Sequence, residues 1–324
     1  MGKKKVINFK KYIKRFWIFM GSGMALILLL FLSASWGFFG ALPTFEELEN
    51  PQKNLATEVI SADGVTLGKY AFQNRTPVGF KELPDNLVSA LIATEDERFY
   101  EHSGIDFRGT ARAIVKMGKG GGASTITQQL AKNLFNDGGS SNTLERLIQK
   151  VKEWIVAVKL ERQYTKNEII AMYLNTQGFL FNAIGIRSAS RIYFGKEPKD
   201  LDIQESAILV AMLKNPRQFN PNREISKKKS LTRRNVVFAQ MTKNKYITEQ
   251  EKDSLQKLPL KINFTPESHN DGLATYFREY LRAYLKKWVK NNPKPSGELN
   301  NINRDGLKIY TTIDSRMQQY AQEA

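Results

Sequence analysis

A long uncharged stretch near the N-terminus constrains this chain more than any other feature. No charged residue occurs from Phe16 to Phe45, and the centre of the stretch, Met24 to Leu32, is almost uniformly apolar. A helix over residues 17–39 would be about 35 Å long at about 1.5 Å per residue, enough to cross a bilayer core of about 30 Å. The stretch therefore predicts one transmembrane helix within an anchor segment at residues 16–40.

The flanks of this stretch predict its orientation. The first fifteen residues contain seven cations and no acid, and a basic flank of this kind is retained in the cytoplasm. A cleaved signal peptide is the alternative, but its apolar region is usually only about 7–15 residues long. A retained anchor fits better. It predicts a single-pass protein of the cell (inner) membrane, with a cytoplasmic tail at residues 1–15 and everything after about residue 41 outside.

The composition restricts the chemistry. The formal net charge is +17, and removing the seven N-terminal cations still leaves +10. Such a surplus suits nucleic acid, anionic lipid or a phosphorylated substrate. The chain has no cysteine and two histidines, His102 and His269, which excludes disulfides and thiol nucleophiles and leaves too few ligands for a histidine metal cage. Carboxylates, lysine, arginine and amides remain as candidate catalytic groups.

Beyond the anchor, the residue pattern changes twice. Residues 41–75 predict a stalk with two short strands, Glu58–Ala62 and Val65–Phe72, joined by a turn at Asp63-Gly64. Residues 76–260 predict a helical domain, and residues 261–324 a linker and the start of a truncated further module. The last strand-like piece, Leu307–Ile313, has little left to pair with.

Within the helical domain, apolar residues recur at helical spacing up to Glu95. Three further helices are predicted over residues 143–163, 166–175 and 203–213. The buried stripe of the first of these three is predicted to comprise Leu144, Leu147, Ile148, Val151, Ile155 and Val158.

Three stretches in this domain could carry chemistry. Glu95 ends an apolar helix face, where partial desolvation can turn a carboxylate into a base, although a solvated helix end is favoured from composition alone. Residues 121–133 join a glycine run to a helix start with hydroxyls, amides and Lys132, which can hold phosphate oxygens; a simple helix cap is the alternative. Lys150 and Glu153 share a helix face, where a surface ion pair is the plain interpretation.

Taken in order, these stretches resemble the glycosyltransferase domain of class A penicillin-binding proteins and of monofunctional peptidoglycan glycosyltransferases. The match comprises Glu95-Asp96-x-x-Phe99-x-x-His102-x-Gly104, then Gly122-x-Ser124-Thr125-Ile126-Thr127-Gln128-Gln129-x-x-Lys132-Asn133, then Lys150-x-x-Glu153 with Glu161, and Ile169-Ile170-x-x-Tyr173-Leu174-Asn175. Later landmarks are Tyr193-Phe194-Gly195-Lys196, Asn220-Pro221 and Arg233-Arg234-Asn235. The resemblance runs from about residue 58 to 258.

The resemblance implies a mainly α, lysozyme-like glycosyltransferase domain behind the single N-terminal transmembrane helix. It implies that Glu95 is the catalytic base and that Glu153 is a second catalytic carboxylate. The substrate-binding residues that it implies are Asp96, Phe99, Arg112, Ser124, Thr125, Gln128, Gln129, Lys132, Asn133, Lys150 and Lys152.

The implied substrates are lipid II and a lipid-linked glycan chain at the cell membrane, joined by inversion with release of undecaprenyl pyrophosphate. The resemblance leaves room for a divalent metal ion, Mg²⁺ or Mn²⁺, that Glu153 would help to hold, and for other cell-wall synthesis partners. An outside location argues against nucleic acid. The rivals are a muramidase or lytic transglycosylase of related fold, and a non-catalytic binder of anionic polymer.

The last residues, 306–324, resemble the approach to a penicillin-binding transpeptidase domain. That chemistry needs Ser-x-x-Lys, Ser-x-Asn and Lys-Thr-Gly together. Ser226-x-x-Lys229 and Ser254-x-x-Lys257 match the first pattern, but Lys-Thr-Gly does not occur in this sequence. We expect no transpeptidase activity from this chain.

Overall fold

A computed structural model describes residues 9–38, 57–70, 77–115, 122–135, 142–181, 183–265, 273–294, 297, 299–302 and 305–324, which are mainly α-helical, as predicted. The helices are α1 Phe9–Ser35, α2 Asp85–Glu95, α3 Phe107–Val115, α4 Ile126–Phe135, α5 Thr143–Gln163, α6 Lys166–Thr176, α7 Ile186–Phe194, α8 Ile203–Leu213, α9 Glu224–Lys243, α10 Glu249–Lys257, α11 Thr275–Asn291 and α12 Ser315–Glu323. The strands are β1 Thr57–Ile60, β2 Thr66–Tyr70 and β3 Lys308–Tyr310.

Helix α1 is the one helix in the described ranges that is long and apolar enough to cross a membrane, judged by length and composition. It begins at Phe9, eight residues before the predicted start, because lysine and arginine are good helix formers and do not end the helix. Its C-terminal part touches the helical domain, where the Phe31 ring lies 6.1 Å from the Trp154 ring of α5. Residues 39 and 40 of the predicted anchor lie outside the described residues.

The helical domain is built around α2. This helix follows Pro84, which occupies the N-cap position, and it buries the predicted residues Leu87, Val88, Leu91 and Ile92. Helices α8 and α9 pack against α2, and α4 packs between α5 and α6. One continuous apolar core joins these helices. It fixes the end of α2, and therefore Glu95, relative to α4 and α9.

Helix α5 has the predicted bounds but not the predicted buried face. Leu147 is 53% exposed, and Ile155 and Val158 are only partly buried. The buried apolar residues of α5 are Val151, Val156, Ala157 and Leu160. Of the predicted stripe, Val151 is buried, and Leu147, Ile148, Ile155 and Val158 are not; the Leu144 side chain lies outside the description. The helix is covered by α4 along one side and touches α1 on another, so its burial does not follow one simple stripe.

A small module stands apart from this core. Its sheet has the order β2-β1-β3, in which β1 and β2 form the predicted antiparallel hairpin. Strand β3 pairs in parallel with β1, with Ile309 opposite Val59. The expectation that the last strand has little to pair with is therefore wrong, because its partner lies about 250 residues away and gives no local signal. Helix α11 covers the sheet through Leu281, Leu285 and Val289.

Candidate active site

The end of α2 opens into a polar cleft. A cavity of about 200 Å³ lies at this point. Its lining includes Thr94, Glu95, Asp96, Arg112, Ser124 and Gln240. Residues from α2, α3, α9 and the segment before α4 therefore meet around one opening. Glu95, Asp96, Arg112, Ser124 and Thr125 were predicted as site residues, and all five line this cavity.

Glu95 has two different donors within reach. The Gln129 side-chain amide donates to one carboxylate oxygen at 3.2 Å. The Arg233 guanidinium lies 3.9 Å from the other oxygen, which is an ion-pair distance but not a hydrogen bond. The Glu95 side chain is 16% exposed, so it is mostly shielded while still open to the cleft. A carboxylate held in this way can accept a proton from a bound hydroxyl group.

The Gln129 amide is itself held in place. The Tyr173 hydroxyl, from α6, donates to the Gln129 amide oxygen at 3.0 Å. The amide nitrogen therefore has to face Glu95. Burial raises the pKa of Tyr173 well above its usual value, with a smaller contribution from the negative charge of Glu95. Tyr173 therefore remains protonated and acts as a donor. Gln129, predicted to bind substrate, has protein partners on both sides.

Asp96 is buried and holds the start of α4. Its carboxylate accepts from the backbone N–H of Ile126, the first residue of α4, at 3.0 Å. Its two oxygens also lie 3.1 Å from the Nε2 atom of His102. A carboxylate is favoured at a helix N-terminus by the free N–H groups and the helix dipole. Asp96 thereby links the residue after Glu95 to the helix that carries Gln129.

Two further residues predicted to bind substrate are also hydrogen-bonded within the protein. The Thr125 hydroxyl donates to the Gly104 carbonyl at 2.7 Å, and the Gln128 amide donates to the same oxygen at 3.3 Å. Both side chains are almost fully buried. Gly104 has φ of 89°, and a Cβ atom there would lie 2.9 Å from the backbone of Ala157. Glycine is required at this position, and Thr125 and Gln128 fix the loop that contains it.

Phe99, predicted to bind substrate, lies in the apolar core and does not line the cavity. Its side chain is 0% exposed and belongs to the apolar core. The ring stacks edge-on against His102, and the Lys166 ammonium lies 4.3 Å from the ring centroid. The aromatic residue of the first motif therefore supports the loop after Glu95 from beneath.

The Lys150–Glu153 pair reaches the cleft through Ser124. Lys150 Nζ lies 2.5 Å from Glu153 and 3.3 Å from the Ser124 hydroxyl. Glu153 is buried, whereas the Lys150 side chain is 49% exposed. The pair is therefore more than a surface ion pair, since its acid is shielded and its cation opens to solvent beside a cleft residue. Lys152, on the next position of α5, is half-buried.

Lys132 and Asn133 lie on the exposed surface of α4, one turn beyond Gln129. Lys132 is three residues after Gln129, so the two side chains share a face of the helix. Arg112 on α3 lies 3.4 Å from Glu97 and is partly exposed. Arg112 lines the cavity, and Lys132 is exposed on the helix that carries Gln129.

Several charged residues of the cleft were missed from the sequence. Glu97 is paired with Arg98, Arg112 and Lys243, and the hydrogen bond from Lys243 holds the pKa of Glu97 below its usual value. Glu97 stands two residues after Glu95, so the motif itself offered a signal. Lys243, at the end of α9, offered none, because 146 residues separate it from Glu97.

Two segments near the predicted site residues in the sequence fall outside the described residues. They are residues 116–121, which contain the glycine-rich run before Gly122, and residues 136–141. In the part of the chain that the structure describes, no group of three or more histidine, aspartate or glutamate side chains is placed to hold a metal ion.

The family model and the similar proteins agree on one family. The model of the family described as Transglycosylase matches residues 63–242. Penicillin-binding protein 1A of Escherichia coli (strain K12) is 35% identical over 287 residues, which cover 87% of this chain and 32% of that protein. Penicillin-binding protein 1F of Bacillus subtilis (strain 168) is 34% identical over 270 residues, which cover 82% of this chain and 36% of that protein. This chain thus spans about a third of the length of these relatives.

A solved structure is also similar. The crystal structure of penicillin-binding protein 1A from Haemophilus influenzae matches with 26% sequence identity and a TM-score of 0.42. The match covers 83% of this chain and 28% of that chain.

Proposed function

The chain belongs to the transglycosylase family of class A penicillin-binding proteins, and on that premise we propose that it is a peptidoglycan glycosyltransferase. The observation that carries the proposal is the position of Glu95. It ends a core helix inside a polar cleft, with one oxygen bound by Gln129 and the other facing Arg233. The family match, residues 63–242, contains all of these groups.

In the proposed reaction, Glu95 removes the proton from the 4-hydroxyl group of the acceptor, lipid II. The acceptor oxygen then bonds to the anomeric carbon of the lipid-linked donor chain, on the face opposite the pyrophosphate. The carbon–oxygen bond to undecaprenyl pyrophosphate breaks, and its electrons leave with the phosphate. One displacement of this kind inverts the anomeric centre from α to β, and the proton stays on Glu95.

The pyrophosphate leaving group gives the basic side chains of this region a role. A glycoside needs an acid to protonate a poor leaving group, but pyrophosphate already leaves as a stable anion and needs positive charge. Lys150 and Arg112 contact residues of the cleft, and Lys132 is exposed one turn beyond Gln129. We assign these side chains, together with Lys152, to the phosphate oxygens of the donor.

The divalent metal ion stays a prediction. Glu153, its expected ligand, is paired with Lys150, and the described residues include no cluster of three acidic or histidine side chains. No step above passes through a metal ion.

The membrane also enters as part of the proposal. Helix α1 would hold the domain at the outer surface of the cell membrane, with the basic tail in the cytoplasm. Lipid II and the growing chain are both lipid-linked, so anchoring would place enzyme and substrates on the same surface.

The direct test uses the purified chain in detergent with labelled lipid II, and separates the products on a gel. We expect a ladder of glycan polymer. In a parallel incubation with preformed glycan, a muramidase would shorten that glycan and form no polymer from lipid II. A non-catalytic binder would leave both the lipid II and the preformed glycan unchanged. Either of those results, with folded protein, would overturn the proposal.

A further inference from the structure

We propose that the outward side of α11 binds the glycan strand, an inference that rests on the proposed function and extends it from the cleft to the product. Four aromatic side chains occur on this helix at intervals of four residues: Tyr276, Tyr280, Tyr284 and Trp288. They are between 39% and 96% exposed. Because residues four apart are neighbours on a helix surface, the four rings form an aromatic row about 18 Å long.

The small module does not use this aromatic row for its own packing. Helix α11 covers the sheet through Leu281, Leu285 and Val289, which share an apolar core with Val59 and Ile309 of the strands. A single exposed aromatic residue is ordinary on a protein surface. Contiguous exposed apolar surface, in contrast, is typical of an interaction site. The aromatic row therefore needs a partner outside the module.

The charge of α11 indicates what kind of partner fits. The helix contains five cations and one acid, Glu279. Lys287 stands three residues after Tyr284, so its exposed side chain lies beside the aromatic row, and Lys290 follows one turn later. Neither lysine has an ion-pair partner among the described residues. Free cations beside the aromatic row favour an anionic partner.

A glycan strand that carries peptide stems has the matching chemistry. Tyrosine and tryptophan combine a flat apolar ring with a polar O–H or N–H group. The ring can lie against the C–H face of a sugar, and the polar group can bond to a sugar hydroxyl. The free carboxylate groups of the peptide stems can accept charge-assisted hydrogen bonds from the lysines. An extended row of rings suits a linear polymer better than a compact ligand.

A bilayer surface and a partner protein fit this face less well. An interfacial helix buries its apolar face at the acyl boundary, but the aliphatic side chains of α11 are turned towards the sheet. The acidic Glu279 is also exposed on this helix. In protein–protein interfaces lysine is depleted, whereas Lys287 lies beside the aromatic row. The combination of rings and lysines therefore favours the anionic glycan.

The test measures binding of fluorescent, uncrosslinked glycan strands with peptide stems to the purified chain in detergent, by fluorescence anisotropy. Tyr280→Ala/Tyr284→Ala should raise the Kd about tenfold, because two stacking contacts are lost. Tyr280→Phe/Tyr284→Phe keeps both rings and should stay within about twofold of the wild type. Lys287→Gln/Lys290→Gln should raise the Kd about fivefold and make binding less sensitive to salt, because exposed charges are screened by ions.

Two matched controls change the same residue types elsewhere. Tyr320→Ala alters an exposed tyrosine on α12, and Lys227→Gln/Lys228→Gln alters two exposed lysines on α9. Both should leave the Kd unchanged, and thermal unfolding of every variant checks the fold. No residue of α11 is among the described residues that line the cavity beside Glu95. The initial rate of lipid II polymerisation should therefore stay at the wild-type level in the α11 variants.

The outcomes separate this inference from the proposed function. A wild type that polymerises lipid II, with strand binding that the folded α11 alanine and glutamine variants leave unchanged, would overturn the inference alone. Weakened strand binding in these variants of a protein that never polymerises lipid II would overturn the proposed function and support the binding face. Quenching of Trp288 by brominated phosphatidylglycerol in reconstituted vesicles, assigned by its loss in Trp288→Phe, would place α11 in the bilayer and overturn the inference.

Discussion

Individual side chains around Glu95 divide into those that face the cleft and those that build its wall. Asp96, Thr125 and Gln128 bind loop and helix backbone, and Phe99 lies in the core. Part of the motif that contains these residues therefore holds the loops and helices around Glu95 in place. Lys132 and Lys150 are different, since both side chains are exposed to solvent.

At the residue scale, we predict that Lys132→Met and Lys150→Met each reduce turnover strongly. Each change removes one proposed charge-assisted contact to phosphate, and contacts of this kind are among the stronger hydrogen bonds. If the contact forms mainly as charge builds on the leaving group, the loss should appear in kcat as well as KM. Steady-state kinetics with lipid II, beside thermal unfolding to check the fold, measures both.

Lys227→Met and Lys228→Met serve as controls, because both lysines are exposed on the surface of α9. They should keep nearly full activity. The phosphate site has been assigned to the wrong residues if the controls lose as much activity as Lys132→Met and Lys150→Met.

The sequence indicated which residues belong to the candidate site, but not which of them contact each other. The motif pattern located Glu95, Ser124 and Lys150 at one cleft. It could not show that Gln129 faces both Tyr173 and Glu95, or that Arg233 approaches Glu95. Such contacts depend on how helices far apart in sequence pack against each other, which periodicity does not specify.

At the scale of elements, a hairpin and a terminal helix are joined by one aspartate. Asp63, in the turn between β1 and β2, accepts from the Ser315 backbone N–H at 3.0 Å and from its hydroxyl at 2.5 Å, at the start of α12. The hydrogen bonds from Ser315, followed by one from Ser61, hold the pKa of Asp63 well below its usual value.

We predict that this contact stabilises the small module only above acidic pH. A carboxyl group with a lowered folded-state pKa adds stability above its unfolded value, near 3.8, and loses it as the pH falls further. Asp63→Asn should therefore unfold at a lower temperature than the wild type at pH 7, and the difference should shrink below about pH 4. Thermal unfolding at several pH values measures this. A difference that stays constant down to pH 2 would show that another group is responsible.

The elements themselves were more predictable than their partners. Helices α2, α5, α6 and α8, and the β1–β2 hairpin, follow local patterns of apolar residues and turn signals. The parallel pairing of β3 with β1 does not, because nothing near Ile309 indicates Val59. The buried face of α5 was also misjudged, because both α1 and α4 contact this helix.

At the scale of the whole molecule, the chain combines an apolar N-terminal helix, a helical domain and a small sheet module. The predicted mainly α fold and the family are both confirmed. The lysozyme-like description and the domain boundaries stay predictions. The positive charge outside the N-terminal tail is consistent with a lipid-linked pyrophosphate substrate, and charge of this kind raises the local concentration of anions.

We predict that a labelled β-lactam does not acylate this chain. The sequence lacks Lys-Thr-Gly, and the two serines in Ser-x-x-Lys spacing, Ser226 and Ser254, lie on helices α9 and α10 outside the cleft. Their hydroxyl groups donate to nearby backbone carbonyls. Incubation with a fluorescent penicillin followed by gel electrophoresis measures labelling; stoichiometric labelling at either serine would contradict this assignment.

The most direct test of the account is the polymerisation rate of Glu95→Gln with labelled lipid II. Glutamine has nearly the same shape but cannot take a proton, so the rate should fall by about 10²–10⁴, the range typical of lost general-base catalysis. Glu101→Gln, an exposed neighbour in the same segment, should retain wild-type activity. A folded Glu95→Gln enzyme that polymerises lipid II within about tenfold of the wild-type rate would contradict the central claim that Glu95 is the catalytic base.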